Sequence, residues 1–234
     1  MAKLVVQVWS DIACPWCYIG KRRLEGALAR FEHAGDVSVR WRAFELDPSA
    51  PRTPHEPGGH AARLARKYGF SVAEAGKRIE SITKLAADEG LGFRYDRMRS
   101  SSTFDAHRLV HLGEAHGKGD AVKERLLRAY FTEGVAMSDG GALVRLAGEC
   151  GLDVDEAQAV LSGDAYADEV RADEELARDA SIHGVPFFLF GRYAVEGAQP
   201  SELLLRALRT AWAELPAEPL AADGAACGPD GCPI

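Results

Sequence analysis

Cys14 and Cys17 stand three positions apart in the stretch SDIACPWCYIGKRRL, directly ahead of a run with helical apolar spacing. Thiols at this spacing suit thiol-disulfide exchange, in which one thiolate attacks and a second thiol resolves the mixed disulfide. Cys14 is expected at or just before the first helical turn, where unpaired N–H groups and the positive end of the dipole favour the thiolate. Cys17 then lies one turn deeper. A helix N-terminus contributes about 0.3 to 1 kcal/mol, up to ~2, so it lowers a thiol pKa by roughly one unit. The intervening Pro15 and Trp16 add no positive charge. An exposed, modestly acidic Cys14 is therefore expected.

The same spacing forms half of many zinc sites, and Cys227 and Cys232 of the tail could supply the other half. Zinc knuckles surround their thiols with turn residues, whereas Pro15 and Trp16 lead into an amphipathic helix. Redox work is preferred over zinc and over two inert thiols, and no metal is expected.

A second feature is HGVPFFLF, where Val185 and Pro186 enter an apolar run. A proline cannot donate a ladder hydrogen bond and belongs at a strand's first residue, where a cis bond would also sit; on these residues alone an ordinary trans proline is the commoner outcome. His107, in TFDAHRLVHL, lies on a helix with Leu109, Val110 and Leu112 and is more often structural than functional in such a setting. Asp11 could accept a proton from Cys17 or merely hold the turn. Cys150 falls in line with Leu143, Leu146 and Ala147 and reads as an inert apolar packer. In the tail, CGPDGC encloses a Pro-Asp-Gly turn, so Cys227 and Cys232 are a candidate second redox pair that could approach Cys14.

The elements that must position these groups follow from periodicity. KLVVQVW alternates through Leu4, Val6 and Val8 as a first strand; a helix starts at Pro15; and Val37, Val39, Trp41 and Ala43 mark a second strand. From about residue 60 to 182 helix punctuation replaces the strand signal. Ser71 with Glu74, and Asp153 with Glu156, fit capping boxes, and Gly90, Gly117, Gly134 and Gly151 stand where helices would stop. Five or six helices are expected there. PFFLF and RYAVEG form a hairpin around Gly191, and Leu204, Leu208, Ala211 and Leu215 share one face of a closing helix.

SDIACPWCYIGKRRLE, TFDAHRLVHLGEAHG, AYFTEGVAMSD and GVPFFLFGRYAVEGAQP, spread over residues 10 to 200, together resemble the DsbA-like thioredoxin superfamily. The resemblance is strongest to the FrnE-type group related to 2-hydroxychromene-2-carboxylate isomerases. It implies an α/β, thioredoxin-like fold with a large inserted all-helical domain. It also implies Cys14 as attacking thiol, Cys17 as resolving thiol, Pro186 as a cis proline, and Val185 as a source of backbone groups for an extended substrate. Cys17 and Pro186 are 169 positions apart; one helix, one strand and their loops need only roughly 40 to 60. The excess matches the helical block. The expected division is residues 1–55 and 183–215 for the thioredoxin-like part, 56–182 for the insertion, and 216–234 for a flexible tail.

Bulk properties narrow the partners. With 28 Lys and Arg against 35 Asp and Glu, a formal charge of -7 and no dense basic run, nucleic acid and anionic membrane are poor partners. The first residues lack the long apolar block of a secretory leader, and no run approaches a spanning helix, so a cytoplasmic protein is expected. Five cysteines in a reducing compartment argue for catalytic use rather than a disulfide framework. The expected activity is disulfide exchange, reduction or isomerisation on protein or small-molecule disulfides and thiols. No bound cofactor is expected; glutathione is a candidate co-substrate, and glutathione or a thioredoxin system a candidate reducing partner. The rivals are a glutathione-dependent isomerase or transferase acting on a small aromatic or polyketide metabolite, and a zinc-binding interaction module. The isomerase branch carries Ser at the position matching Cys14, so the Cys here favours dithiol chemistry.

Overall fold

A computed structural model describes residues 4–57 and 59–215. The tail cysteines Cys227 and Cys232, with the turn expected between them, lie outside the described residues.

Strand β1 (Leu4–Ser10) is central in a four-stranded sheet of order β2-β1-β3-β4. Its alternation buries Leu4, Val6 and Val8 and leaves Val5 exposed. It pairs in parallel with β2 (Val37–Ala43) and antiparallel with β3 (Phe187–Phe190), so Val8 faces both Trp41 and Phe188 across the ladders. Strand β4 (Tyr193–Glu196) completes a two-residue hairpin with β3 through Gly191 and Arg192. Helix α1 (Pro15–Leu28) is the crossover between the two parallel strands, and the closing helix α9 (Ser201–Ala213) packs against it. The closing helix buries Leu204, Leu208 and Ala211 as its periodicity predicts, and Leu215 follows just past its end.

Between β2 and β3 the chain forms α2 (His60–Tyr68), α3 (Val72–Asp88), α4 (Phe104–Ala115), α5 (Gly119–Arg128), α6 (Gly140–Glu149), α7 (Val154–Ser162) and α8 (Ala167–Asp179). Seven helices thus replace the five or six expected. The shortfall comes from short helices such as α2, which buries only Ala65, too few positions to make a periodic signal. The punctuation itself is as expected. Ser71 accepts from Glu74 N–H, Asp153 accepts from Asp155 and Glu156 N–H, and the four predicted stop glycines all take positive φ.

The helices also close the sheet's edge. Strand β2 would otherwise present unpaired N–H groups, but Trp41 N–H donates to Glu114 Oε1 at 3.1 Å and Ala43 N–H to Asp173 Oδ2 at 2.9 Å. Helix α4 carries buried residues all round, Ala106 through Gly113, as befits the central helix of the insertion. One apolar cluster runs without a break from Val6, Val8 and Ile19 through Trp41 to Leu109, Leu126 and Leu143. Sheet and insertion therefore share a core.

Candidate active site

Strand β1 ends under the N-terminus of α1, and this junction sets the geometry of the cysteine pair. Pro15 occupies the first helical turn and Cys14 is the N-cap, in extended conformation with φ -92° and ψ 114°. Cys17 N–H donates to Cys14 O at 3.1 Å, which places Cys17 one turn in, 1 % exposed. From the other side of the sheet comes the loop entering β3. Its Val185–Pro186 peptide bond is cis, and Val185 O lies 3.5 Å from Cys14 Sγ as acceptor of the thiol. Trp16, beside Cys14, is 38 % exposed. Cys14, Cys17, Pro15, Trp16, Val185 and Pro186, named from two distant segments, thus meet at one place.

Acidity and access differ from the expectation. Cys14 is 3 % exposed. The adjacent Cys17 sulfur, and after it burial, push the Cys14 thiol well above its ordinary range, outweighing the pull of the Cys17 N–H at the helix start. The second sulfur and burial thus reverse the exposed, modestly acidic Cys14 expected from the helix end alone.

Beneath the pair lies a buried polar cluster. Asp11 is 1 % exposed and accepts from Leu46 N–H at 2.8 Å and from Ala13 N–H at 3.2 Å, so it holds the strand-to-helix turn. His107 Nε2, on α4, lies 3.4 Å from Asp11 Oδ1, close but without hydrogen-bond alignment. Burial raises the Asp11 pKa, but His107 and the two N–H groups more than offset it and hold the carboxyl below its ordinary value. Burial likewise holds the His107 imidazole below its ordinary value despite Asp11, which favours the neutral ring. Cys150, at the C-cap of α6, packs half-buried on the core with its thiol 3.6 Å from Ala121 O, apart from this cluster.

Several buried charged groups escaped sequence reasoning, among them Lys21, Arg108, Lys123 and Asp173. Lys123 on α5 is fully buried, and its Nζ donates to Ser10 O at 3.1 Å, directly below the cysteine motif. The signal was present: α5 buries Gly119, Val122, Lys123, Leu126 and Leu127, so this lysine stands in the middle of an apolar stripe. A cavity of about 230 Å³ lined by Lys21, Leu24, Trp41 and Asp120 includes neither cysteine.

A vicinal thiol pair at a helix start, faced by a cis-proline loop on a four-stranded sheet, defines the thioredoxin-fold class of thiol-disulfide proteins. The family model of the DSBA-like thioredoxin domain matches residues 5–209, and the chain belongs to that family. It is 44 % identical to a probable DsbA oxidoreductase from Streptomyces coelicolor, with a TM-score of 0.85 over 99 % of each chain. It is 28 % identical over 205 residues to the uncharacterized protein YwbO of Bacillus subtilis strain 168, covering 87 % of this chain and 94 % of that one. The cytosolic disulfide reductase DsbM from Pseudomonas aeruginosa, 19 % identical, shares the fold at a TM-score of 0.63, covering 90 % of this chain and 99 % of that one. A 2-hydroxychromene-2-carboxylate isomerase does so at 15 % identity and a TM-score of 0.64, covering 88 % and 95 %. The chain is an enzyme of the DsbA-like disulfide oxidoreductase/isomerase type. No helix among the described residues is long and apolar enough to cross a membrane.

Proposed function

We propose that this protein is a cytosolic thiol-disulfide oxidoreductase of the FrnE-type group, working through the Cys14-Pro15-Trp16-Cys17 centre. The observation that carries the reading is the contact of Cys14 Sγ with Val185 O, which sets the N-cap thiol of α1 against the loop that would align an extended substrate. In the reducing direction the Cys14 thiolate attacks one sulfur of a substrate disulfide. A Cys14-substrate disulfide forms and the other substrate sulfur leaves as thiolate. Cys17 then attacks Cys14 Sγ, forming the Cys14–Cys17 disulfide and releasing the second substrate thiolate. A thiol reductant returns the pair to the dithiol by the same two exchanges. Glutathione is the reductant of choice in this reading, supported by the DsbM structure described with GSH. The cytosolic assignment has the same kind of support, from the compartment named for DsbM. Exposed Trp16 offers substrate an apolar surface beside the attacking sulfur.

The test is an insulin-reduction and scrambled-substrate assay on wild type, Cys14→Ser and Cys17→Ser, driven by glutathione. Cys14→Ser should abolish turnover, and Cys17→Ser should stall as a mixed disulfide visible by intact mass. Turnover that survives Cys14→Ser ends the reading; turnover that survives only Cys17→Ser points to the glutathione-dependent isomerase class.

A further inference from the structure

A guanidinium shielded from water and given no acceptor is costly, and nearly all buried polar groups have a partner. Arg22, Arg23 and Arg42 are half-buried, and each holds a carboxylate, that of Glu25, Glu89 and Asp173 respectively. Arg63, on α2, is also half-buried, yet its Nε and Nη2 are closed off from solvent with no hydrogen-bond partner among the described residues. These two atoms form the side of the guanidinium fork that matches the two oxygens of a carboxylate. The guanidinium folds back along its own helix, with Nη1 3.3 Å from where a Cβ would stand at Gly59. His60 is the first residue of α2, one turn before Arg63, and its Nδ1 is likewise buried without a partner. Ring contacts lead from this corner to the cysteine helix. The His60 ring packs on Tyr95 at 5.0 Å, Tyr95 on Phe93 at 6.1 Å, and Phe93 stacks at 6.0 Å on Tyr18, the residue after Cys17. Burial, then Tyr130 and Cys14, push the Tyr95 hydroxyl above its ordinary value, while Arg63 works against the burial that raises Tyr130.

We infer that Arg63, with His60 beside it, is a specificity-determining subsite that takes the carboxylate of a disulfide substrate lying extended from Cys14. This rests on the disulfide-exchange reading above and names its substrate class. The two carboxylate oxygens accept from Nε–H and Nη2–H, and the neutral His60 ring has Nδ1 to offer as a further donor. Because Arg63 as a whole is only half-buried, turning its flexible side chain opens the fork to a ligand while α2 stays in place. A carboxylate then supplies the acceptors that the folded chain withholds, whereas a carboxamide of the same shape brings one oxygen and no charge. The succession of rings from His60 to Tyr18 sets the span. The acid group stands roughly two or more residues from the reacting sulfur, as in a short peptide disulfide, and not on the cysteine itself.

The full-length dithiol enzyme is mixed with the symmetric disulfide of N-acetyl-Cys-Gly-Gly, either as the free acid or as the C-terminal amide, and the released thiol peptide is quantified after acid quench. The two disulfides differ only at the C-terminal group. In wild type at pH 7 the acid should half-saturate the single-turnover rate at about tenfold lower concentration than the amide, with limiting rates within about twofold. Arg63→Met should abolish that preference by raising the half-saturating concentration of the acid about tenfold. A wild type without the preference, or an Arg63→Met enzyme that retains it, overturns the inference. A wild type that releases no thiol from either disulfide, or release undiminished in Cys14→Ser, defeats the oxidoreductase reading instead. For an Arg63→Met chain that does not fold, wild type carries the test by NMR: the redox-inert N-acetyl-Ser-Gly-Gly acid should shift the Arg63 Nε–H resonance saturably, and its amide should not. Equal shifts from both peptides, or none from the acid, likewise refute the subsite.

Discussion

Gly20 links the stability of α1 to the geometry of the candidate site, and Gly20→Ala tests that link. A Cβ at residue 20 would lie 2.9 Å from Pro186 Cγ and 3.2 Å from Phe188 Cζ. Pro186 cannot yield by rotating a side chain, and its carbonyl is held by Gly197 N–H at 2.8 Å. Restoring ordinary carbon contact requires a movement of roughly 0.6 Å of the loop away from α1. Overpacking of this kind costs about 1 to 3 kcal/mol, while replacing a helical Gly by Ala returns about 0.5 to 1, so a net loss of up to about 2.5 kcal/mol is expected. The same movement carries Val185 O relative to Cys14 Sγ. Misplacement approaching 1 Å can cost about a hundredfold in rate, so a fall of about tenfold in insulin turnover is expected. Urea unfolding and turnover are measured side by side with Gly76→Ala, a control on α3 where an added Cβ meets nothing within 4 Å. The control should gain about 0.5 to 1 kcal/mol with unchanged turnover. If Gly20→Ala behaves like the control, more stable and fully active, the close approach of α1 to the proline loop does not constrain the site as argued.

Asp11→Asn should cost about 2 to 3 kcal/mol at pH 7, because a buried carboxylate accepting two N–H groups is replaced by a neutral amide. Asp11 titrates below its ordinary 3.8 in the folded state, so its contribution is present above that value and is lost as pH falls through the lower folded value. Urea unfolding at stepped pH should therefore show the deficit shrinking below pH 3.8, and a deficit constant with pH would refute the role of the charge. His60 packs on Tyr95 with ring centroids 5.0 Å apart, and burial, aided by Arg63, pushes it from 6.5 down to about 4. Below its ordinary value the unfolded chain takes up a proton that the folded one refuses, so on the order of 2 kcal/mol is lost as pH falls from 6.5 to about 4. His60→Phe should remove that part of the slope in thermal melts at pH 7 and 4.5; an identical slope would show that His60 titrates freely.

Much of this was legible in the chain because the signals are local. A strand followed by Cys-Pro-Trp-Cys and a helix requires only periodicity and a proline suited to the first turn, and Ser71 and Asp153 announce their helices through their own side chains. Short helices such as α2 are less legible, since nine residues with one buried side chain carry almost no periodic information. The state of Cys14 was illegible for another reason. Its acidity depends on how deeply the fold buries it and on where the Cys17 sulfur sits, and neither is a property of the local stretch.

By itself, then, the sequence determined that two thiols stand one helical turn apart after a first strand, and that a helical block separates them from Val185 and Pro186. Only the tertiary structure decided that Val185 O meets Cys14 Sγ across 171 residues and that Asp11 and His107 share one buried cluster. It also decided that Lys123 comes up from α5 to the carbonyl of Ser10, just before the turn that carries the cysteines. The reason is that helix and strand formation are written in neighbours three or four residues apart, whereas the burial that sets a thiol's or a lysine's charge comes from the packing of segments a hundred residues away.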